Sequence, residues 1–399
     1  MPGGGPLLRR NWEPPRRLPY FVEPPQQQPC NLLIDQATQV VRDYYTLGNV
    51  QKVAQLYGGY TNLSFSVTML KNGHSKKYLL RLYRPETSID HIYFEHALID
   101  HIVASGSQMI ARLIRTNGGE NFVQLKSLET QGAKDLHYAM FEFIGGEDKY
   151  SWTSNRLSDE EYIYSGRILA ELHCSTAGFD PGSLPSPHQP ILKVLSRFPA
   201  DLQRCAKLAE DSCFDKYFLD NLADILRISK QTSEQLAEAL DLPVIAIHGD
   251  FHPGNQKYNL NRVIGVFDFD RACLDLRMFD VALAVIYFCS CWEDPMDGKL
   301  WLQKAALFLQ SYQERAERSS KPGLLLPSEI RLFRPMLTAA SLSLIKWASV
   351  DTYYLETGNC PDEEYLFYLK HHVRLLRWLE TNHVRVEDML QEALLPSRG

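Results

Sequence analysis

The spacing of apolar residues changes character once along this chain, at Ser158. Before it, apolar and polar positions alternate in short runs punctuated by glycine; after it, apolar residues recur at helical intervals. The first segment, Asn31–Leu47, carries Leu32, Leu33, Val40, Val41, Tyr44 and Tyr45, which predicts an amphipathic helix ended near Gly48. Val53–Tyr57 and Leu63–Leu70 then read as strands joined by the turn Gly58-Gly59-Tyr60-Thr61-Asn62. Lys71-Asn72-Gly73 is a second turn, leading into a third strand at Lys77–Tyr83. A helix follows at Ile89–Ala104, with Ile92, Leu98, Ile99, Ile102 and Val103 on its apolar faces. Ala111–Thr116 and Asn121–Ser127 are expected to be strands joined at Gly118-Gly119. Tyr138–Ile144 is expected to be another, stopped by Gly145-Gly146.

Ser158–Glu161 reads S-x-x-E, a capping box that opens a helix continued by Ile163, Ile168, Leu169 and Leu172. His173 closes that stripe and reads as a core residue. The Pro/Gly/Ser-rich stretch Phe179–Gln189 predicts a loop. Val194–Leu240 holds at least two more helices, and Pro243–Ile247 is a short apolar strand. Asp280–Cys291 is apolar enough to be a buried helix, and Lys299–Ser319, Pro327–Thr352 and Asp362–Asn382 read as amphipathic helices. Their aromatic residues, among them Trp292, Trp301, Tyr312, Trp347, Tyr353, Tyr354, Tyr365 and Tyr368, are expected in the core. No internal repeat stands out. The organisation expected is a flexible Pro-rich arm at 1–30, a lobe at 31–145 built on an antiparallel sheet, and a larger, mainly helical lobe at 146–390: an α+β, bilobal protein.

Composition narrows the class. With 399 residues, 45% hydrophobic and 23% charged, the chain can bury a sizeable core. Met1–Cys30, by contrast, is rich in Pro, Gly, Arg and Gln and has too little apolar surface to offset its ordering entropy. The net charge of −6 argues against a nucleic-acid partner, which calls for a basic face. The eight cysteines form no C-x-x-C pair and none stands at zinc spacing with histidine, so free thiols in a reducing cytoplasm are expected. The N-terminus lacks the apolar region of a signal peptide. The apolar run Val281–Cys289 is far shorter than the about 20 residues of a membrane span, so no membrane partner is expected.

Candidate chemistry concentrates in Ile247–Asn255, I-H-G-D-F-H-P-G-N, followed by V-F-D-F-D at Val266–Asp270. A loop Asp or Asn is by itself an ordinary turn former. The spacing H-x-D-x-x-x-x-N, with an apolar strand ending in D-x-D shortly after, is what singles these residues out. Such an Asp can accept a proton from an attacking hydroxyl. An Asn a few residues on and an Asp at a neighbouring strand end can hold Mg2+, which in turn holds ATP phosphates. The turn at Gly58 and Gly59 can bring backbone N–H groups close to phosphate, with the hydroxyls of Thr61 and Ser64 as further donors. No G-x-x-x-x-G-K-[ST] occurs, so the nucleotide site is not a P-loop.

At H-G-D-F-H-P-G-N the chain resembles the catalytic loop of the aminoglycoside phosphotransferase/choline kinase superfamily, which has a protein-kinase-like fold; the resemblance extends over roughly residues 50–380. It implies Asp250 as the base, Asn255 and Asp268 as Mg2+ ligands, His248 as a support of the loop backbone and Asp280 as its buttress. It also makes Tyr78–Tyr83 the nucleotide-binding strand. There Arg81 stands where many members have lysine, with Glu95 as its ion-pair partner. Arg81 keeps the charge and adds a planar fork suited to phosphate. Tyr138–Gly146 resembles the interlobe hinge, where Glu142 and Ile144 would meet the adenine edge through their main chain.

The resemblance implies an ATP- and Mg2+-dependent kinase with an alcohol group as acceptor. L-R-L-Y-R-P and the later H-G-D-x-H-x-G-N look like type II homoserine kinases, which phosphorylate a small amino alcohol, and also like bacterial stress-response kinases, which phosphorylate protein Ser/Thr. A small-molecule hydroxyl substrate is the favoured expectation and a protein substrate the alternative. A nucleotide-binding pseudokinase scaffold is a third reading, motivated by Arg81 and the Pro-rich arm.

Overall fold

The computed structural model describes residues 31–56, 62–126, 134–355 and 362–394. The arm at 1–30 and the predicted phosphate turn, Gly58, Gly59 and Thr61 included, lie outside the described residues.

Helix α1 (Asn31–Tyr44) leads into the strands β1 (Asn49–Leu56), β2 (Leu63–Lys71) and β3 (His74–Leu82), then α2 (Ile89–Ala104), β4 (Leu113–Ile114), β5 (Val123–Leu125) and β6 (Leu136–Glu142). The strands form one antiparallel sheet in the order β1-β2-β3-β6-β4, with β5 also pairing β6. Alternation decides which face is buried: Phe65, Val67 and Met69 of β2 and Tyr78 and Leu80 of β3 turn inward against Val40, Val41 and Tyr45 of α1 and its C-terminal extension. On the other face Arg81 of β3 looks toward α2, whose Glu95 is buried there. β4 and β5 are shorter than the alternation predicts, two and three residues, because β6 lends each of them only part of one edge.

The large lobe begins at α3 (Asp159–Thr176), whose capping box of Ser158 and Glu161 is present. It continues with α4 (Ile191–Ala206), α5 (Cys213–Gln235), β7 (Val244–Ile247), the hairpin β8 (Gln256–Asn259) and β9 (Arg262–Val266), β10 (Cys273–Leu276) and α6 (Arg277–Cys289). After α6 come α7 (Leu302–Ala316), α8 (Pro327–Arg331), α9 (Phe333–Leu344), a π-helical turn at Ile345–Asp351, α10 (Thr352–Leu355), α11 (Asp362–Thr381) and α12 (His383–Leu394). The single helix expected over Pro327–Thr352 is thus divided, and α12 lies beyond the expected elements. α6 is buried along its whole length, as its apolar run predicted. No helix among the described residues is long and apolar enough to cross a membrane.

Among the described residues, backbone contacts tie the large lobe to the connection that leaves the small lobe and to the small lobe itself. Glu147 and Tyr258 exchange hydrogen bonds at 2.8 and 3.1 Å, and Val266 N–H donates to Met109 O at 2.6 Å. The first explains the Gly145-Gly146 stop. Gly146 has φ +105°, and a Cβ there would lie 2.8 Å from Tyr258 O, so only glycine lets the chain cross at this closeness.

Candidate active site

The loop after β7 is held open by a relay of buried polar groups. β7 pairs antiparallel with β10, and α6 follows β10 directly, which brings Asp280 under the loop. Asp280 accepts the backbone N–H of His248 at 3.0 Å and of Gly249 at 2.9 Å. Its Oδ2 also meets His173 Nε2 at 3.0 Å, and His173 Nδ1 meets Tyr312 Oη at 2.8 Å. Burial alone would raise the Asp280 carboxyl's pKa; the bond from His173 and the loop N–H groups win and hold it below its ordinary value. His173 is therefore a core residue with a positioning task. His248 is buried, its Nε2 on Phe267 O at 3.2 Å and its Nδ1 accepting the Asp250 N–H at 3.3 Å. That pattern is the neutral imidazole, and burial depresses its pKa accordingly. Gly249, at φ +72°, packs so closely on Arg271 O that a Cβ would come within 2.4 Å of it.

These supports present the Asp250 carboxylate at the cleft. Asn255 Nδ2 donates to Asp250 O at 2.9 Å and to its Oδ2 at 3.3 Å. Tyr287 Oη donates to Oδ1 at 2.7 Å, and His252 Nε2 lies 3.6 Å from Oδ2. The carboxylate is fixed from both sides, an arrangement suited to orienting an acceptor hydroxyl and taking its proton.

Arg81 approaches from the small lobe. Its Nη1 donates to Glu95 Oε1 at 2.9 Å and its Nη2 to Asp268 Oδ1 at 3.2 Å. Glu95 Oε2 in turn accepts the Tyr83 hydroxyl at 2.7 Å, so the pair is hydrogen-bonded on its far side too. Ser64 sits opposite Arg81 in the β2–β3 register, half-buried. Asp268 follows β9 in the left-handed region, φ 68° and ψ 69°, a conformation that costs a non-glycine residue energy and that concentrates at functional sites. Burial raises its carboxyl's pKa; Arg81 pulls against that, and Asp270 and Asp250 add to the rise.

The donor set suits a hard cation. With Nδ2 committed to Asp250, Asn255 has its amide oxygen left for a ligand, and Asp268 offers a carboxylate close by on the same lobe, one residue beyond Phe267, whose N–H donates to Asn255 O at 3.1 Å. Asp270 Oδ1 is buried with no hydrogen-bond partner among the described residues. Among those residues no group of three His, Cys, Asp or Glu could hold a metal unaided. Mg2+ needs no such cage, because it binds through one or two carboxylates together with substrate phosphates and water. At the hinge, the Glu142 N–H is spent on Arg112 O at 2.8 Å, and the Glu142 carboxylate faces Lys76 and Arg112 at 3.4 and 4.0 Å. Ile144 packs on Gly265, where a Cβ would come within 2.5 Å of its Cγ2.

Two residues of this site were not singled out from the sequence. Tyr287 carried a usable signal: it stands seven residues after Asp280 on α6, two turns along the same face, so both reach the same loop. His252 lay inside the quoted motif, but nothing in its spacing distinguished it from a turn residue.

The fold is that of the protein-kinase-like phosphotransferases. A microcompartment-associated aminopropanol kinase superposes with a TM-score of 0.63 at 16% identity, covering 89% of this chain and 98% of that one. A spectinomycin phosphotransferase in complex with ADP and spectinomycin gives 0.59 at 17%, covering 87% and 98%. The family model of the phosphotransferase enzyme family matches residues 52–317, and the chain belongs to that family. Among curated proteins it is similar to the homoserine kinase of Xanthobacter autotrophicus, 24% identical over 333 residues, 82% of this chain and 90% of that protein.

Proposed function

We propose that this protein is an ATP- and Mg2+-dependent kinase that transfers the γ-phosphoryl group to the hydroxyl of a small amino alcohol, homoserine being the first candidate. The observation that carries the reading is the convergence of Asp250, Asn255, Asp268 and Arg81 on one cleft, each held by hydrogen bonds rather than by packing alone. The likeness to homoserine kinase over most of both chains favours the acceptor named.

In this reading Asp250 orients the acceptor hydroxyl and takes its proton, with Tyr287 and Asn255 fixing the direction of its lone pairs. Asn255 and Asp268 are the residues that would hold Mg2+, which when bound neutralises the charge on the β- and γ-phosphates. Arg81, pinned by Glu95, clamps the phosphates from the small lobe. The Ser64 hydroxyl adds a donor beside them, and the main chain at Glu142 and Ile144 takes the adenine edge. Catalysis then comes chiefly from positioning and charge neutralisation. The reaction belongs in the cytoplasm, where ATP is supplied.

The test is ADP release with ATP and Mg2+ across a panel of L-homoserine, 3-aminopropan-1-ol, choline and a generic protein substrate. Turnover with the small amino alcohols supports the reading. Turnover only with the protein substrate, or with none, overturns it.

A further inference from the structure

Packed through its backbone against the Asp250 loop is a cationic residue that the reaction as described does not use. Arg271 ends the short turn that follows Asp268, and its carbonyl packs on Gly249, one residue from Asp250. Its guanidinium lies over the ring of Trp347, 4.4 Å from the centroid. It is half-buried, yet among the described residues no carboxylate or hydrogen-bond acceptor meets it. The other buried arginines are spent: Arg81 on Glu95 and Asp268, Arg277 on Glu329 and two backbone carbonyls. A partly desolvated guanidinium without a counter-ion is costly, and Arg271 lies within electrostatic reach of Tyr287, the residue that donates to Asp250.

The ring beneath it comes from an unusual piece of backbone. Trp347 belongs to the π-helical turn Ile345–Asp351, a form that widens the helix and is frequent at functional sites. The turn is pinned by Lys346, which meets Asp351 at 2.5 Å and Asp201 at 3.3 Å. Lys346 thereby pairs with Asp351 and Asp201, and the Trp347 ring is left as the seat for Arg271. A guanidinium seated over an aromatic ring and met by no carboxylate among the described residues is positioned to pair with an anion, because part of its side-chain freedom is already spent on the ring.

Resting on the kinase reading above, we infer that Arg271, seated on Trp347, binds a carboxylate of the acceptor, so that the substrate class is a hydroxy amino acid rather than a simple amino alcohol. The pair that isolates this claim is L-homoserine and 3-aminopropan-1-ol, which differ only by that carboxylate. Arg271 acts on specificity, not on phosphoryl transfer.

The experiment measures kcat and KM for both acceptors in the wild type, Arg271→Lys and Arg271→Met, with melting temperature and ATP affinity as checks on the fold. The wild type should favour L-homoserine. In Arg271→Met the ratio of kcat/KM values should fall on the order of 10- to 100-fold, the range of a charge-assisted hydrogen bond, chiefly through KM for L-homoserine. Arg271→Lys keeps the charge without the fork and should fall between. If Arg271→Met does not fold, Arg271→Lys alone must still lower the ratio. Parallel losses on both acceptors, or an unchanged ratio, would make Arg271 a structural residue and overturn the inference. A wild type that uses 3-aminopropan-1-ol but not L-homoserine would overturn it while leaving the kinase reading in place. Turnover of neither acceptor would overturn both.

Discussion

Arg81 Nη2 lies 3.2 Å from Asp268 Oδ1, so a residue of the small lobe and a candidate metal ligand of the large lobe are tied directly across the cleft. With Nη1 on Glu95, the two arms of one guanidinium link α2, β3 and the loop after β9. Lysine has one point charge and cannot span both carboxylates in this planar way.

That geometry sets the first expectation. Arg81→Lys should lower kcat/KM for ATP about 10-fold, or about 1.4 kcal/mol of transition-state stabilisation. Arg81→Ala and Glu95→Ala should each cost more, and the double variant little more than Arg81→Ala alone, because the pair acts as one unit. Steady-state kinetics with ATP varied checks this. Additive losses would separate the two residues.

Asp250→Asn keeps the shape of the side chain and removes its capacity to take a proton. The loss in kcat should be on the order of 10²–10⁴, with ATP affinity nearly intact, since in the proposed mechanism the group meets the acceptor and not the nucleotide. Single-turnover rates and nucleotide titration separate the two effects.

Asp268→Asn removes an anionic oxygen from the proposed cation site. Nucleotide binding in the presence of Mg2+ should weaken, and raised Mg2+ should restore part of it. Titration of ATP at several Mg2+ concentrations is the measurement. Affinity that ignores the substitution at every concentration would transfer the role to Asp270, whose Oδ1 is buried, accepts no hydrogen bond among the described residues and lies 4.0 Å from His91 Nε2.

The Asp280 relay has a pH signature. Its carboxyl is depressed below the ordinary value of 3.8, so it contributes stability that is fully present above that value and is lost as pH falls through the lower folded value. Asp280→Asn should cost about 3 kcal/mol near neutral pH, as breaking a buried charge network does. The deficit against wild type should shrink as pH is lowered below 4, by urea unfolding at a series of pH values.

How far the sequence carried these conclusions differs by element. Helix α2 was legible to the residue, because Ser88 caps it and apolar positions recur at helical intervals until Ser105. The loop Ile247–Asn255 stood out because its spacing is dense and its strand short, and the structure gathers its polar residues together as candidates. The division of Pro327–Thr352 was not, since a π-helical turn leaves the apolar pattern almost unaltered while shifting one residue per turn. Tyr287 was masked by its neighbours: in a run as apolar as Val281–Cys289 a tyrosine reads as core, and its spacing from Asp280 pointed to the loop but not to the Asp250 carboxylate that its hydroxyl meets. Arg271 was passed over for a like reason, because a lone cation after D-F-D reads as solvated surface until Trp347 is brought beneath it.

The most direct measurement of the central claim is ³¹P NMR of the product formed from ATP, Mg2+ and L-homoserine by the wild type and by Asp250→Asn. The account predicts a phosphate monoester on the side-chain hydroxyl in the first reaction and almost none in the second. Wild-type rates in Asp250→Asn, or ATP consumed with no phosphorylated small molecule formed, would contradict it.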